Sequence, residues 1–212
     1  MRILVALIGL VVSLVACADG AAPEKYQAGV HYTVLDAPVR TADASKIEVT
    51  EVFWYGCGHC YHFEPLIQPW KKSLAEDVAF VQSPAMWNGA MELHARAFYV
   101  AKALGVSEQM HMPIFEAMNV QGKRLSSEAE IKDLFVANGV DAEKFSKAFG
   151  SFGVTGQVRQ ADARARSYRI TGTPELVVEG KYRVSAKEAG GQPQMLEVAS
   201  FLIEKARAER AK

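Results

Sequence analysis

Two periods of apolar residues alternate along the chain, and their order sets the expected architecture. Residues 47–55 (IEVTEVFWY) are dense in β-branched and aromatic side chains and carry no helical repeat. That pattern predicts a buried central strand, stopping at Gly56. Tyr32-Thr33-Val34-Leu35 predicts a short strand before it, and Val78-Ala79-Phe80-Val81 another after it, closed by Ser83-Pro84. Between them the period changes: Phe63, Leu66, Ile67, Trp70 and Leu74 fall on one side of a helix over 60–74. Pro65 and Pro69 interrupt that pattern and predict a kink.

From 87 to 168 the strand pattern is gone. Leu93, Ala97, Val100, Ala101 and Leu104 make the apolar face of a helix over 89–104, closed by Gly105. A second helix over 109–118 holds Pro113 near its start. Ser127-Glu128-Ala129-Glu130 is a capping box opening a third, with Ile131, Leu134 and Phe135 inward and a stop at Asn138-Gly139. Asp141 caps a fourth over 141–149, and a fifth over 153–168 carries arginines on a largely solvated surface. Strand pattern returns at 175–179 (ELVVE), turns at Gly180 and pairs back through Tyr182-Arg183-Val184. A last helix starts near Pro193, with Met195, Leu196, Ala199, Leu202, Ile203 and Ala206 as its stripe and a basic end. Strands, a block of helices and strands again predict one domain inserted in another.

Half of the 212 residues (50%) are hydrophobic and 23% are charged, with 24 basic and 24 acidic side chains and a formal net charge of zero. Such a chain can build a sizeable core, and its balanced charge excludes a basic nucleic-acid binder and an acidic disordered protein alike. Its front differs from the rest. Residues 1–16 (MRILVALIGLVVSLVA) place one positive charge before an apolar run too short to span a bilayer, which predicts a secretory signal peptide. The run ends in Leu14-Val15-Ala16-Cys17, similar to a bacterial lipobox, whose cysteine is acylated and becomes the mature N-terminus. Cleavage after Ala18, by the small-residue pattern Ala16-Cys17-Ala18, is the alternative and releases a soluble protein. Residues 17–29 are small and polar, as a linker would be. Either route takes the chain out of the cytoplasm.

Cys57-Gly58-His59-Cys60 stands where the central strand ends and the first helix begins. Free N–H groups and the positive end of the helix dipole favour a thiolate at Cys57, and His59 can add hydrogen bonding or charge. Cys60, one turn inward, is placed to attack a mixed disulfide formed on Cys57. The other uses of such a pair fit less well. Zinc would need a second pair of ligands, and Cys17 is the third and last cysteine, so no metal is expected. A static disulfide across two residues closes a tiny strained loop, poor for stability and good for exchange. Inert buried cysteines do not suit a helix mouth between Gly56 and Gly58.

The segment from Glu51 to Glu64 (EVFWYGCGHCYHFE) resembles the active site of the DsbA family of periplasmic thiol:disulfide oxidoreductases. Thr171-Gly172-Thr173-Pro174, before a strand, resembles the cis-proline loop of thioredoxin-fold proteins. The resemblance implies an α/β, thioredoxin-like fold over 30–86 and 169–212, interrupted by an all-helical domain over 87–168 that fills the long gap between Cys60 and Pro174. It implies a monomeric enzyme with no cofactor besides its Cys57–Cys60 disulfide. That disulfide would be given to reduced, unfolded exported proteins and restored by a DsbB-type, quinone-linked membrane partner. Nucleic acid has no place in it, and a membrane enters only through a lipid on Cys17.

The resemblance also implies roles around the pair. Glu51 matches an acid buried beneath the cysteines that relays a proton to or from Cys60, and an acid in so apolar a strand is costly without a role. A solvent-facing strand residue is the alternative. Glu64, on the next turn of the helix, would join the same charged pair. Pro174, if cis, holds the Thr173 backbone opposite Cys57 for an extended substrate; a plain strand-initiating proline is the alternative. One departure stands out: Gly58-His59 replaces the Pro-His of the best-known members and matches protein disulfide isomerase, a weaker oxidant. A disulfide isomerase or reductase of the DsbC or DsbG sort would carry an N-terminal dimerisation domain, and a redox-inactive chaperone would not need both cysteines. His62, His94 and His111 show no recognisable partners, and Met86, Met91, Met110, Met112 and Met118 read as core.

Overall fold

Every residue of β2 (Ile47–Phe53) and of β4 (Glu175–Val178) is buried, and these two strands lie side by side at the centre of the sheet. The computed structural model describes residues 24–211; the expected signal peptide, Cys17 and the first part of the linker lie outside them. The five-stranded sheet has the order β1 (Thr33–Val34), β5 (Tyr182–Ser185), β4, β2 and β3 (Val78–Pro84). β2 and β3 run parallel, and β4 pairs antiparallel with both β2 and β5. A parallel pair needs a crossover, which α1 (Gly58–Lys72) supplies. β2 ends two residues before the expected Tyr55, because Trp54 turns the chain and its carbonyl accepts the Cys57 N–H. β3 runs through Ser83 to Pro84, which an edge strand tolerates.

Between β3 and β4 come α2 (Gly89–Ala103), α3 (Ser107–Asn119), α4 (Glu128–Ala137), α5 (Ala142–Phe149) and α6 (Phe152–Ser167). Their caps are the ones the sequence offers: Ser127 accepts from the Glu130 N–H and Asp141 from the Lys144 N–H. Gly105 and Gly139 take φ values of 71° and 85° just past their helices, where a left-handed residue ends the turn. After β5 a single turn, α7 (Ala186–Ala189), precedes α8 (Gln192–Arg210).

Two buried clusters share the sheet. Ile47, Val49, Leu176, Val178 and Val184 pack with Phe63 and Ile67 of α1 and with Met195, Val198, Ala199 and Leu202 of α8. Val52, Phe53 and Val177 pack with the helical block, whose own core includes Met110, Ile114, Phe115, Phe135, Phe145 and Val158.

Two expectations need correction. Pro65 and Pro69 do not interrupt α1, which runs through both without a break. Both prolines are exposed. α3 starts at Ser107, two residues early, because Val106 offers no side-chain cap to mark the start. The α6 surface is largely solvated, as expected, with Arg159 and Arg166 exposed; Arg164 is partly buried, 3.6 Å from buried Glu48.

Candidate active site

Cys57 is the N-cap of α1, with extended dihedrals (φ −91°, ψ 111°), and its Sγ accepts the Cys60 N–H at 3.4 Å. Across the site the Thr173–Pro174 peptide bond is cis. The Thr173 carbonyl accepts from the Cys57 thiol at 3.2 Å. The loop is held by Glu175, which is buried and takes the N–H groups of Thr171 (3.2 Å) and Gly172 (3.0 Å) on Oε1. Arg183 lies 3.4 Å from its other oxygen. At the front of α1, Gln192 donates to the His59 carbonyl at 2.7 Å, and Asn119 donates to the Tyr55 carbonyl at 2.7 Å. The strand end, the helix start and the cis loop thus meet at one sulfur.

The two cysteines are free thiols in very different settings. Cys57 is pulled from 9.0 down to about 5, first by a hydrogen bond from the Cys60 thiol, then by the Thr173 side chain and the backbone N–H groups of Cys60 and His59, against partial burial. Cys60 is wholly buried and is pushed well above the thiol range, by burial first and then by its bond and charge interaction with Cys57. The His59 side chain is exposed, as is Gly58; His59 acts on Cys57 through its main chain.

Beneath the pair lie two buried carboxylates. Glu51 is fully buried, so the solvent-facing alternative does not hold. It is raised to about 8, by burial first and by the charge of Glu64 second. Its Oε2 accepts from Gln82 at 2.8 Å, and its Oε1 has no partner. Glu64 is buried as well, and both of its oxygens are bonded, to Gln68 at 2.7 Å and to His111 at 3.0 Å. On the outer side of Glu64 an open groove of about 500 Å³ is lined by Tyr61, His62, Pro65, Gln68 and Met112.

Gln82, His111, Glu175 and Asn119 were not anticipated. His111, expected to lack partners, meets Tyr55, Gln82 and Glu64. Only Glu175 left a signal, an acid directly after Pro174 in an apolar strand. His94 also has partners: it accepts from Trp54 Nε1 at 2.9 Å and lies 3.0 Å from the Arg124 carbonyl. His62 is exposed. Met86, Met91 and Met110 are core residues, while Met112 reaches the groove. Among the described residues, no group of three or more His, Cys, Asp or Glu side chains is arranged to hold a metal ion. None of the described helices is long and apolar enough to cross a membrane.

Comparison with known proteins agrees with this geometry. The family model described as DSBA-like thioredoxin domain matches residues 66–198. The chain is 42% identical to thiol:disulfide interchange protein DsbA of Pseudomonas aeruginosa over 89% of its own length and 90% of the relative's. It is 40% identical to the protein of that name from Pseudomonas syringae pv. tomato, over 98% and 97%. The crystal structure of Pseudomonas aeruginosa DsbA superposes with a TM-score of 0.86 at 42% identity, covering 90% of this chain and 99% of that one. Oxidoreductase DsbA from Xylella fastidiosa gives 0.81 at 32% identity, over 86% and 98%. A thioredoxin-like sheet interrupted by helices, a Cys-x-x-Cys helix mouth and identity sustained over nearly the whole length place this chain in the DsbA family of thiol:disulfide interchange proteins.

Proposed function

We propose that Cys57 and Cys60 form the redox disulfide with which this chain oxidises protein dithiols. The observation that supports it best is the inequality of the pair, an acidic, half-buried Cys57 one helical turn from a buried, non-acidic Cys60. A substrate thiolate attacks Cys57 Sγ, the Cys57–Cys60 bond breaks, and its electron pair leaves on Cys60, which takes up a proton. A second thiolate of the same substrate attacks the substrate sulfur of the mixed disulfide, and Cys57 departs as its stabilised thiolate. The substrate has then lost two electrons and the enzyme has gained them. Glu51 supplies the Cys60 proton and recovers it on reoxidation, with Glu64 setting its charge state. Thr173, fixed before Pro174, offers main-chain groups to an extended substrate segment.

The substrates are reduced, unfolded exported proteins, and the reoxidant is a quinone-linked membrane protein of the DsbB type. Their meeting place is the periplasm. Cys17 is the acylated residue of a lipoprotein; the two unequal cysteines of the site account for the others, and a free thiol would scavenge disulfides there. Intact mass of the native N-terminus tests this: an acyl-modified Cys17 supports it, and an unmodified chain starting at Asp19 refutes it.

The division between the cysteines is tested by mutation. Cys57→Ser should abolish dithiol oxidation, and Cys60→Ser should accumulate mixed disulfides with substrates on non-reducing gels. A trapping Cys57 variant beside a silent Cys60 variant would reverse the roles.

A further inference from the structure

Two carboxylates buried side by side cannot both be ionised cheaply, and something must decide between them. Their hydrogen bonds are unequal: Glu64 has a donor on each oxygen, whereas Glu51 has one donor and an unpartnered, buried Oε1. One of the Glu64 donors comes from outside the thioredoxin-like sheet and its helices. His111 lies in α3, on the helical block. Its Nδ1 is 3.1 Å from the Tyr55 hydroxyl and its Nε2 is 3.0 Å from Glu64 Oε1. An ionised carboxylate only accepts, so His111 Nε2 carries a proton toward Glu64, while the Nδ1–Tyr55 hydroxyl bond runs in either direction. Phe53, Tyr55 and Phe115 meet the ring edge-on at centroid distances of 5.6, 5.5 and 5.1 Å and fix its plane. Gln82 Nε2, which serves Glu51, is 3.2 Å from the same His111 nitrogen, so one imidazole borders the partners of both acids.

We propose that His111 is a positioning residue that pins the Glu64 carboxylate against Glu51, so that Glu51 keeps the proton used by Cys60. The inference rests on the Glu51 role proposed above and names the group that sets it. The groups facing this centre are Glu51 from β2, Tyr55 from the loop after it, Cys60 and Glu64 from α1, Gln82 from β3 and His111 from α3; the charge of Lys71 also reaches Glu51. Glu64 borders the open groove, so without His111 it is free to turn toward water and away from Glu51. The like charge that raises Glu51 then weakens.

The test follows the Glu51 carboxyl by carbon NMR in the reduced protein, as the parent, His111→Leu and His111→Gln. The expected result is a Glu51 midpoint lower by a pH unit or more in His111→Leu, with His111→Gln, which keeps an N–H donor, closer to the parent. The pH profile of the Cys60-dependent step should move in the same order. An unchanged midpoint in a folded His111→Leu protein overturns the proposal. So does a His111→Gln protein whose Glu51 midpoint falls by a pH unit or more below the parent's, and that comparison serves alone if the leucine variant does not fold. Glu51→Gln in the parent separates the two readings: an unaltered Cys60 profile there refutes the role of Glu51, while the carboxyl titration still reports on His111.

Discussion

Glu51 is held at a cost to the fold that depends on pH. Its reference value is 4.5 and its folded value about 8, raised first by burial. Between those values the folded chain keeps a proton that the unfolded chain has lost, so stability falls as pH rises through this window. Glu51→Gln removes the ionisable group. The variant should gain little at pH 4 and on the order of a few kcal/mol at pH 8. Urea midpoints at the two pH values check this, and an equal gain at both would mean that Glu51 does not titrate as described. Glu51 is legible in the sequence, because an acid in an apolar strand is anomalous by itself. His111 is not, because its neighbours Tyr55, Gln82 and Glu64 lie 56, 29 and 47 positions away and meet it only through the tertiary fold.

The turn between β2 and α1 is built from elements that brace one another. The Trp54 ring is fixed by its bond to His94, and a Cβ on Gly56 would come within 2.4–2.7 Å of three of that ring's atoms. Gly56→Ala should therefore destabilise the protein by about 1–3 kcal/mol, since neither side can yield cheaply. Gly58 is the opposite case. It is the first residue of α1, a Cβ there meets only Asn119 Oδ1 at 3.9 Å, and Cys57 before it is already extended. A proline suits that position on both counts, and the N–H groups that lower Cys57 belong to His59 and Cys60. Gly58→Pro should add about 0.4–1 kcal/mol by restricting the unfolded chain, with the Cys57 titration kept low. Denaturant midpoints separate the two variants, and a destabilised Gly58→Pro protein would refute the second account. The same local logic decides which elements were legible. Capped or glycine-stopped helices such as α4 and α5 show their bounds in sequence, whereas the uncapped start of α3 does not. The turn α7 was overlooked even though Ser185 and Glu188 form a capping pair there, because four residues leave no apolar period to see.

At the scale of the molecule the order of strands and helices was legible, and with it the cysteine pair, because each depends on neighbours in sequence. What periodicity could not show is that α3 reaches back to the strand and helix of the active site, through Asn119 on the Tyr55 carbonyl and His111 on Glu64. The whole fold therefore feels the redox state, and the direction follows from Cys57. In the reduced protein its folded value, about 5, lies below its reference of 9.0. A depressed thiol contributes stability that is complete above pH 9 and is lost as pH falls toward 5. The oxidised protein has no thiol to titrate and lacks this contribution. A disulfide spanning only two intervening residues restricts the unfolded chain little, so it offers the oxidised form slight compensation. The reduced form should be the more stable at pH 7, with a lead that grows by up to about 1.4 kcal/mol per pH unit above pH 5 and disappears near it. Guanidinium midpoints of both forms at pH 5, 6, 7 and 8 measure that slope. A gap that does not change with pH would show that the Cys57 thiolate is not what distinguishes the two states. An oxidised form that is more stable throughout would remove the driving force for giving its disulfide away.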